Sequence, residues 1–226
     1  MELNNVSYDF VRNGPMADTI RAMKDSGLHR WGFAIYKAAE ITDDDTWVRY
    51  LDALKQDVHE ELEHNGRDVL LEQYSSWPAL SILGSTDAQQ DDRSAVRANF
   101  QQWCKERLQE HQHECSTSDN DVAAAAIESM EMMPRFRYCL YVDQKCLDTL
   151  AAHASAKATR KRPGRGPPPP ALVAMVIDAG EHQQAWEYYN LRYVAGLYEE
   201  LHKTQLVQNE LYVKPPAIGP LGFDSM

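Results

Sequence analysis

The chain has 226 residues, of which 43% are hydrophobic and 25% are charged, and its net charge at pH 7 is -11. This composition is typical of a globular protein, and the length favours a single domain that spans residues 1–226. The acidic balance argues against a protein that binds DNA or RNA across its whole surface, because phosphate contacts need clustered lysine and arginine. A local basic patch stays compatible with this charge.

No run approaches the roughly 20 apolar residues that a membrane helix needs, and the first residues lack the order of a secretory signal. We therefore expect a cytoplasmic protein without membrane contact. The four cysteines are too few for a disulfide framework and should be free thiols. Cys104, His111, His113 and Cys115 are of zinc-ligand type, but their spacing matches no standard zinc finger. We expect neither a metal nor another cofactor.

The first half of the chain predicts alternating helices and strands. A short amphipathic helix should end at Gly27, and residues 31–37 predict a strand whose two faces are both at least partly buried. Thr42 is the expected N-cap of a long helix, whose apolar positions recur every three or four residues until Gly66. Residues 68–83 predict a second strand, which is interrupted by a proline.

A second long helix should start at Asp91 or Asp92 and end before the polar stretch 111–121. Residues 136–143, FRYCLYVD, alternate in polarity and predict a strand. A short helix over residues 144–153 should follow this strand.

Residues 171–178, ALVAMVID, form a continuous apolar run that is typical of a central strand. Residues 186–206 predict a partly helical segment, and residues 210–216 a last strand that prolines stop. This order of elements predicts an α+β sandwich with a mostly antiparallel sheet and helices on one face. A ferredoxin-like arrangement is the expected form.

A basic, proline-rich insertion is expected at about residues 156–170. Such a segment is most often a solvated loop or a localisation-like signal, but it also favours contact with an RNA backbone. The candidate RNA-binding residues are Lys157, Arg160, Lys161, Arg162 and Arg165.

Two carboxylates close two predicted strands, Asp143 after FRYCLYV and Asp178 after ALVAMVI. If these strand ends are adjacent, the pair is a candidate substrate-binding site for a guanidinium or ammonium group. The same pair could also act in general acid–base catalysis. The alternative is that each aspartate is a turn residue bonded to nearby backbone.

Four polar residues lie on the less apolar faces of two predicted strands. If these faces line a cavity, Tyr36, Lys37 and Tyr141 are catalytic candidates, and Arg137 is a candidate for binding substrate. If a helix covers the faces, the tyrosines are core residues with satisfied hydroxyl groups.

The stretches RWGFAIYK, TDDDTWVRYLDAL, RFRYCLYVDQKCLDTL, ALVAMVIDAG and LRYVAGLYEEL together resemble a large fungal family of small proteins, over roughly residues 29–200. The activity that this resemblance implies is that of the fungal arginine-containing cyclodipeptide synthases. These enzymes join arginine from arginyl-tRNA to a second aminoacyl group and close a diketopiperazine. Aminoacyl-tRNAs would then be partners, contacted by the basic insertion, and Asp143 and Asp178 would select arginine.

Two other classes of function are compatible with the same sequence. An α+β sandwich with an aromatic-lined cavity is also typical of a tRNA-independent enzyme, such as a cyclase or isomerase, or of a small-molecule binder. The proline-rich insertion would also suit a protein that docks a partner domain.

Overall fold

The computed structural model describes residues 14–81, 92–115, 120–159, 170–180 and 185–203, with Leu3 and Leu206, and only the backbone of residues 113–115 and 120–123. The strands in this part are β1 (Ala34–Lys37), β2 (Ala79–Ser81), β3 (Tyr138–Val142), β4 (Val173–Asp178) and β5 (Trp186–Asn190). The α-helices are α1 (Ala17–Ser26), α2 (Asp44–His64), α3 (Asp68–Leu71), α4 (Asp92–Cys115), α5 (Asn120–Glu131), α6 (Pro134–Arg137), α7 (Gln144–Thr159) and α8 (Val194–Lys203).

The five strands form one mixed sheet in the order β2-β1-β3-β4-β5. Strand β1 runs parallel to both β2 and β3, while β4 is antiparallel to β3 and β5. The α+β class is confirmed, but the expectation of a mostly antiparallel sheet is wrong. Parallel neighbours need long crossover connections, and the helices between β1 and β2 and between β2 and β3 supply them. The ferredoxin-like arrangement is not confirmed by this strand order.

Helices cover both faces of the sheet, whereas the sequence pattern predicted helices on one face only. Tyr36 of β1 packs against Phe100 of α4, with ring centroids 6.5 Å apart. Phe33, which precedes β1 and lies on the opposite face, packs against Tyr198 of α8 at 5.1 Å. The sheet is therefore the middle layer of three.

The long helix α2 follows its predicted pattern except at its first residue. Asp43 rather than Thr42 is the N-cap, because its carboxylate accepts the Thr46 backbone N–H at 3.1 Å. The helix ends at Asn65 and Gly66, as expected. Helix α1 likewise ends at Gly27, which has a positive φ of 68°.

Several predicted boundaries are wrong because tertiary pairing overrides the local pattern. Only Ala79–Ser81 of the predicted second strand pairs in the sheet, and its first residues are helical. Residues 186–190, expected in a helical segment, form edge strand β5 by pairing with β4. Phe136 and Arg137 belong to α6, which starts at Pro134, and β3 begins only at Tyr138.

Three other expectations concern the ends of elements. Helix α4 continues to Cys115, into the polar stretch 111–121 that was expected to follow it. Helix α7 continues to Thr159, so the start of the predicted insertion is helical. The predicted last strand at 210–216 lies outside the described residues, as does most of the insertion.

The aromatic core is centred on Trp31, which is fully buried. Its indole N–H donates to the Leu71 carbonyl oxygen at 2.8 Å, so its polar atom is satisfied. Its ring packs edge-on against Trp77 and Tyr198, at 5.6 Å from each. This cluster joins the start of β1, the approach to β2 and helix α8.

Trp31→Ala should lower the free energy of unfolding by about 3–5 kcal/mol, because it leaves a cavity and an unpaired carbonyl group. Val48→Ala, at a position 52% exposed on α2, is the control and should change it by less than about 0.5 kcal/mol. Urea unfolding followed by far-UV circular dichroism measures both. A loss below about 1 kcal/mol for Trp31→Ala would contradict this assignment of the core.

Candidate anion-binding site

The two candidate catalytic tyrosines, on β1 and β3, lie side by side, and helix α4 covers them. Tyr36 and Tyr141 are register partners on the parallel strands. Tyr36 is 2% exposed, and burial raises its pKa above the usual range. The Tyr141 hydroxyl donates to a carboxylate oxygen of Asp92 at 3.2 Å, at the start of α4. This geometry favours the alternative of core tyrosines, and their catalytic role stays a prediction.

Lys37 and Arg137, the other two residues of that predicted site, do not lie together with the tyrosines in one pocket. The Lys37 ammonium lies 2.6 Å from a carboxylate oxygen of Asp44. Lys37 pairs in register with Val142, at one end of β3, whereas Arg137 precedes the other end. At about 3.3 Å per residue the two ends of β3 are roughly 13 Å apart. Arg137 instead places its guanidinium over the Tyr138 ring, 5.4 Å from the centroid.

Asp143 and Asp178 lie at opposite ends of neighbouring strands. Because β3 and β4 are antiparallel, Asp178 pairs with Tyr138, while Asp143 follows the far end of β3. Each aspartate bonds local groups: Asp143 accepts the Cys146 N–H at 2.9 Å and the Tyr188 hydroxyl, and Asp178 accepts the Gly180 N–H at 2.7 Å. The structure therefore does not bring the two together in one pocket.

Of the five candidate RNA-binding residues in the basic insertion, the structure describes only Lys157. Lys157 lies in α7, and its ammonium is 2.6 Å from Asp57 and 3.0 Å from Glu60. It is thus engaged by carboxylates rather than presented to a phosphate. The other four candidates lie outside the described residues: Arg160, Lys161, Arg162 and Arg165.

The acidic cavity is a space of about 290 Å³ between α2, α7 and the segment before α8, lined among others by Asp57, Glu60, Glu61, His153 and Lys157. Glu61 accepts the backbone N–H groups of Ala195 and Gly196, both at 2.8 Å, so it caps α8. Burial raises the pKa of Glu61 to about 7 despite these hydrogen bonds, which act to lower it.

His153 joins α7 to this acidic cavity. Its Nδ1 lies 2.8 Å from the Pro170 carbonyl oxygen, which can only accept a hydrogen bond. Its Nε2 lies 3.4 Å from Asp57, whose carboxylate raises the pKa of His153. The sequence pattern missed this cavity, although Asp57 and Glu61 fall at helical spacing on the buried side of α2.

The arginine cavity is a second, larger space of about 580 Å³. It lies between the residues that follow α1, the last third of α4, the end of α5 and helix α6. One carboxylate and five basic side chains line it: Glu110, His29, Arg30, Arg107, His111 and Arg135. Apolar side chains complete the wall: Leu28, Met130 and Phe136.

Arg135 is only 5% exposed and is held by neutral groups. Its Nη1 donates to the carbonyl oxygens of Gly32 at 3.0 Å and Ser76 at 2.9 Å, and its Nη2 donates to Ser76 Oγ at 3.2 Å. The Trp103 ring lies 5.3 Å from the guanidinium carbon. No carboxylate pairs with Arg135 among the residues that the structure describes.

The other two arginines crowd this buried charge. Arg107 is paired with Glu110 at 2.7 Å, whereas the exposed Arg30 has no ion pair within the described ranges. Burial, together with Arg30 and Arg107, lowers the pKa of Arg135. The cavity therefore has a surplus of positive charge in a chain whose net charge is -11.

Gly32 allows the two chain segments that accept hydrogen bonds from Arg135 to lie close together. It has a φ of 103°, and a Cβ at this position would lie 2.8 Å from the Ser76 carbonyl oxygen. Only glycine accommodates both the conformation and the contact. The sequence pattern missed the arginines because they are far apart in the chain, at positions 30, 107 and 135.

Comparisons with known proteins add no family to this geometry, because no family model, curated protein or solved structure matches the chain. In the described part of the chain, no three His, Cys, Asp or Glu side chains are grouped so that they could hold a metal ion. The same residues include no helix with the length and apolar character that crossing a membrane requires. The acidic cavity and the arginine cavity are therefore the candidate sites that the geometry itself supplies.

Glu61 should make the protein less stable as the pH rises. Because its pKa is raised from 4.5 to about 7, its contribution to stability is complete below pH 4.5 and is lost as the pH rises through 7. The free energy of unfolding should fall by up to about 3 kcal/mol over this interval. Urea unfolding between pH 4.5 and 8 measures the fall.

Glu61→Gln should remove most of this pH dependence, because glutamine does not titrate. Glu63→Gln changes an exposed glutamate of the same helix and should behave as the wild type. His153 is present in both variants, so its own contribution, which is also lost with rising pH, cancels in the comparison. Equal pH dependence in the two variants would contradict the assignment to Glu61.

Proposed function

We propose that the protein binds a small organic anion in the arginine cavity, as a tRNA-independent small-molecule binder or enzyme. The observation that carries the proposal is the buried Arg135 guanidinium, which has no carboxylate partner among the described residues. A buried charge without a counter-ion is costly, and a bound anion would supply the missing partner.

The crowding of three guanidinium groups supports a role in binding rather than in folding. Arg30 and Arg107 each make the charged form of Arg135 less favourable. Repulsion of this kind reduces stability, and proteins retain such conflicts chiefly at functional sites. An anion placed between the three groups would attract each of them and so offset their mutual repulsion.

The dimensions of the cavity suit a small molecule. Its volume of about 580 Å³ lies within the range of roughly 300–1,000 Å³ that is usual for ligand pockets. A concave surface with one sign of charge also attracts oppositely charged ligands over several ångströms. An acidic protein with a basic cavity would thus direct anions to this place.

Arg30→Gln should weaken the binding of a small aromatic anion about tenfold, because a charge-assisted hydrogen bond contributes roughly 1.5–3 kcal/mol. Titration calorimetry with phenyl phosphate and benzoate as probes measures the change. Arg49→Gln is the matched control, since it removes one exposed arginine that does not line the cavity. Equal losses in both variants would mean that only net charge matters, and would contradict the proposal.

The second candidate is a tRNA-dependent synthase that makes an arginine-containing cyclic dipeptide. The observation that favours it is the acidic cavity, where the Lys157 ammonium lies between Asp57 and Glu60. A cationic group already fits there, so an arginine side chain that displaces Lys157 would meet two carboxylates. In this candidate the acidic cavity takes the role expected of Asp143 and Asp178, and the arginine cavity would receive a phosphate of the aminoacyl-tRNA.

Expression in a bacterial host with labelled arginine tests this candidate. Mass spectrometry of the medium should show a labelled product at the mass of a dipeptide less one water. Asp57→Asn should abolish the product, while Asp52→Asn, at an exposed position of the same helix, should leave it. Folded protein that yields no labelled product would exclude the synthase.

A further inference from the structure

Arg135 uses only part of its hydrogen-bonding capacity within the described residues. A guanidinium group has five N–H donors, and three of those of Arg135 go to Gly32 and Ser76. The Nε–H and one Nη2–H remain, and in a planar guanidinium these two donors share an edge and point the same way. Such an edge binds two oxygens of one oxyanion at once.

Only the donors of Arg135 that Gly32 and Ser76 do not take are left for a ligand of the cavity. Gly32 and Ser76, which take the other donors, are not part of the cavity wall, whereas Arg135 is. The committed donors therefore fix the guanidinium against the backbone and leave the Nε edge to the ligand. Since the group is nearly fully buried, its orientation is set before a ligand binds.

The charge of the cavity matches a dianion better than a monoanion. Arg107 is paired with Glu110, which leaves Arg30 and Arg135 without carboxylate partners in the described part of the chain. A phosphate monoester carries a charge of about -1.5 to -2 near pH 7. It also has a third terminal oxygen, which can face Arg30 while two oxygens meet the Arg135 edge.

We propose that the ligand of the arginine cavity is a phosphate monoester attached to an apolar body, with its phosphate on Arg135 and Arg30. This inference rests on the proposed anion-binding function and specifies its ligand class. A phosphate fills a small part of about 580 Å³. Leu28, Met130 and Phe136 line the remainder, and they suit an apolar or aromatic group.

Titration calorimetry of the full chain at fixed ionic strength tests the ligand class with phenyl phosphate, benzoate and inorganic phosphate. Phenyl phosphate should bind at least about tenfold more tightly than each of the other two, because only it combines the dianion with an aromatic body. Arg135→Lys keeps the charge but removes the two-donor edge, and it should weaken phenyl phosphate about tenfold.

Arg30→Gln provides the second variant, in case Arg135→Lys does not fold. It should reduce the preference for phenyl phosphate over benzoate, because the third phosphate oxygen loses its partner. Equal affinity for benzoate and phenyl phosphate in the wild type would overturn the phosphate inference and leave anion binding intact. Equal affinity for inorganic phosphate and phenyl phosphate would overturn the inference that the ligand carries an apolar group. Binding of none of the three probes would overturn the proposed function itself.

Discussion

The parallel pairing of β1 with β2 and β3 is the constraint on which the arginine cavity depends. Chain segments that precede parallel strands arrive at the same edge of a sheet. Gly32 precedes β1, Ser76 precedes β2 and Arg135 precedes β3, so these three residues meet there. An antiparallel sheet would have separated them and left the Arg135 guanidinium without its backbone partners.

The antiparallel pairing of β3 with β4 separates the two carboxylates that the sequence placed in one candidate site. Asp143 and Asp178 each follow a strand, but these strands run in opposite directions, so the residues lie at opposite edges. Both then act as ordinary turn and cap residues, which accept nearby backbone N–H groups. A change in the direction of one strand thus decides whether two carboxylates form a site.

The two cavities differ in whether their buried charged groups have partners of opposite charge. In the acidic cavity, Asp57 and Glu60 meet Lys157 and His153, and Glu61 meets the N-terminus of α8, so each carboxylate has a partner. In the arginine cavity, the buried guanidinium meets neutral carbonyl oxygens and other cations. The first arrangement stabilises the packing of α2 on its neighbours, whereas the second keeps a binding capacity that the described residues do not use.

The sequence by itself determined the helices and strands whose pattern is local. Helix α2 has its apolar stripe and its glycine stop, and β4 is a continuous apolar run that is buried throughout, as expected of a covered strand. The α+β class follows from such elements. Strand direction, edge strand β5 and the arginine cavity could not be predicted in this way. They depend on residues that are far apart in the chain, such as Arg30, Arg107 and Arg135, which line one cavity. Hydrophobic periodicity reports which face of an element is buried, but only tertiary structure decides what that face and its ends meet.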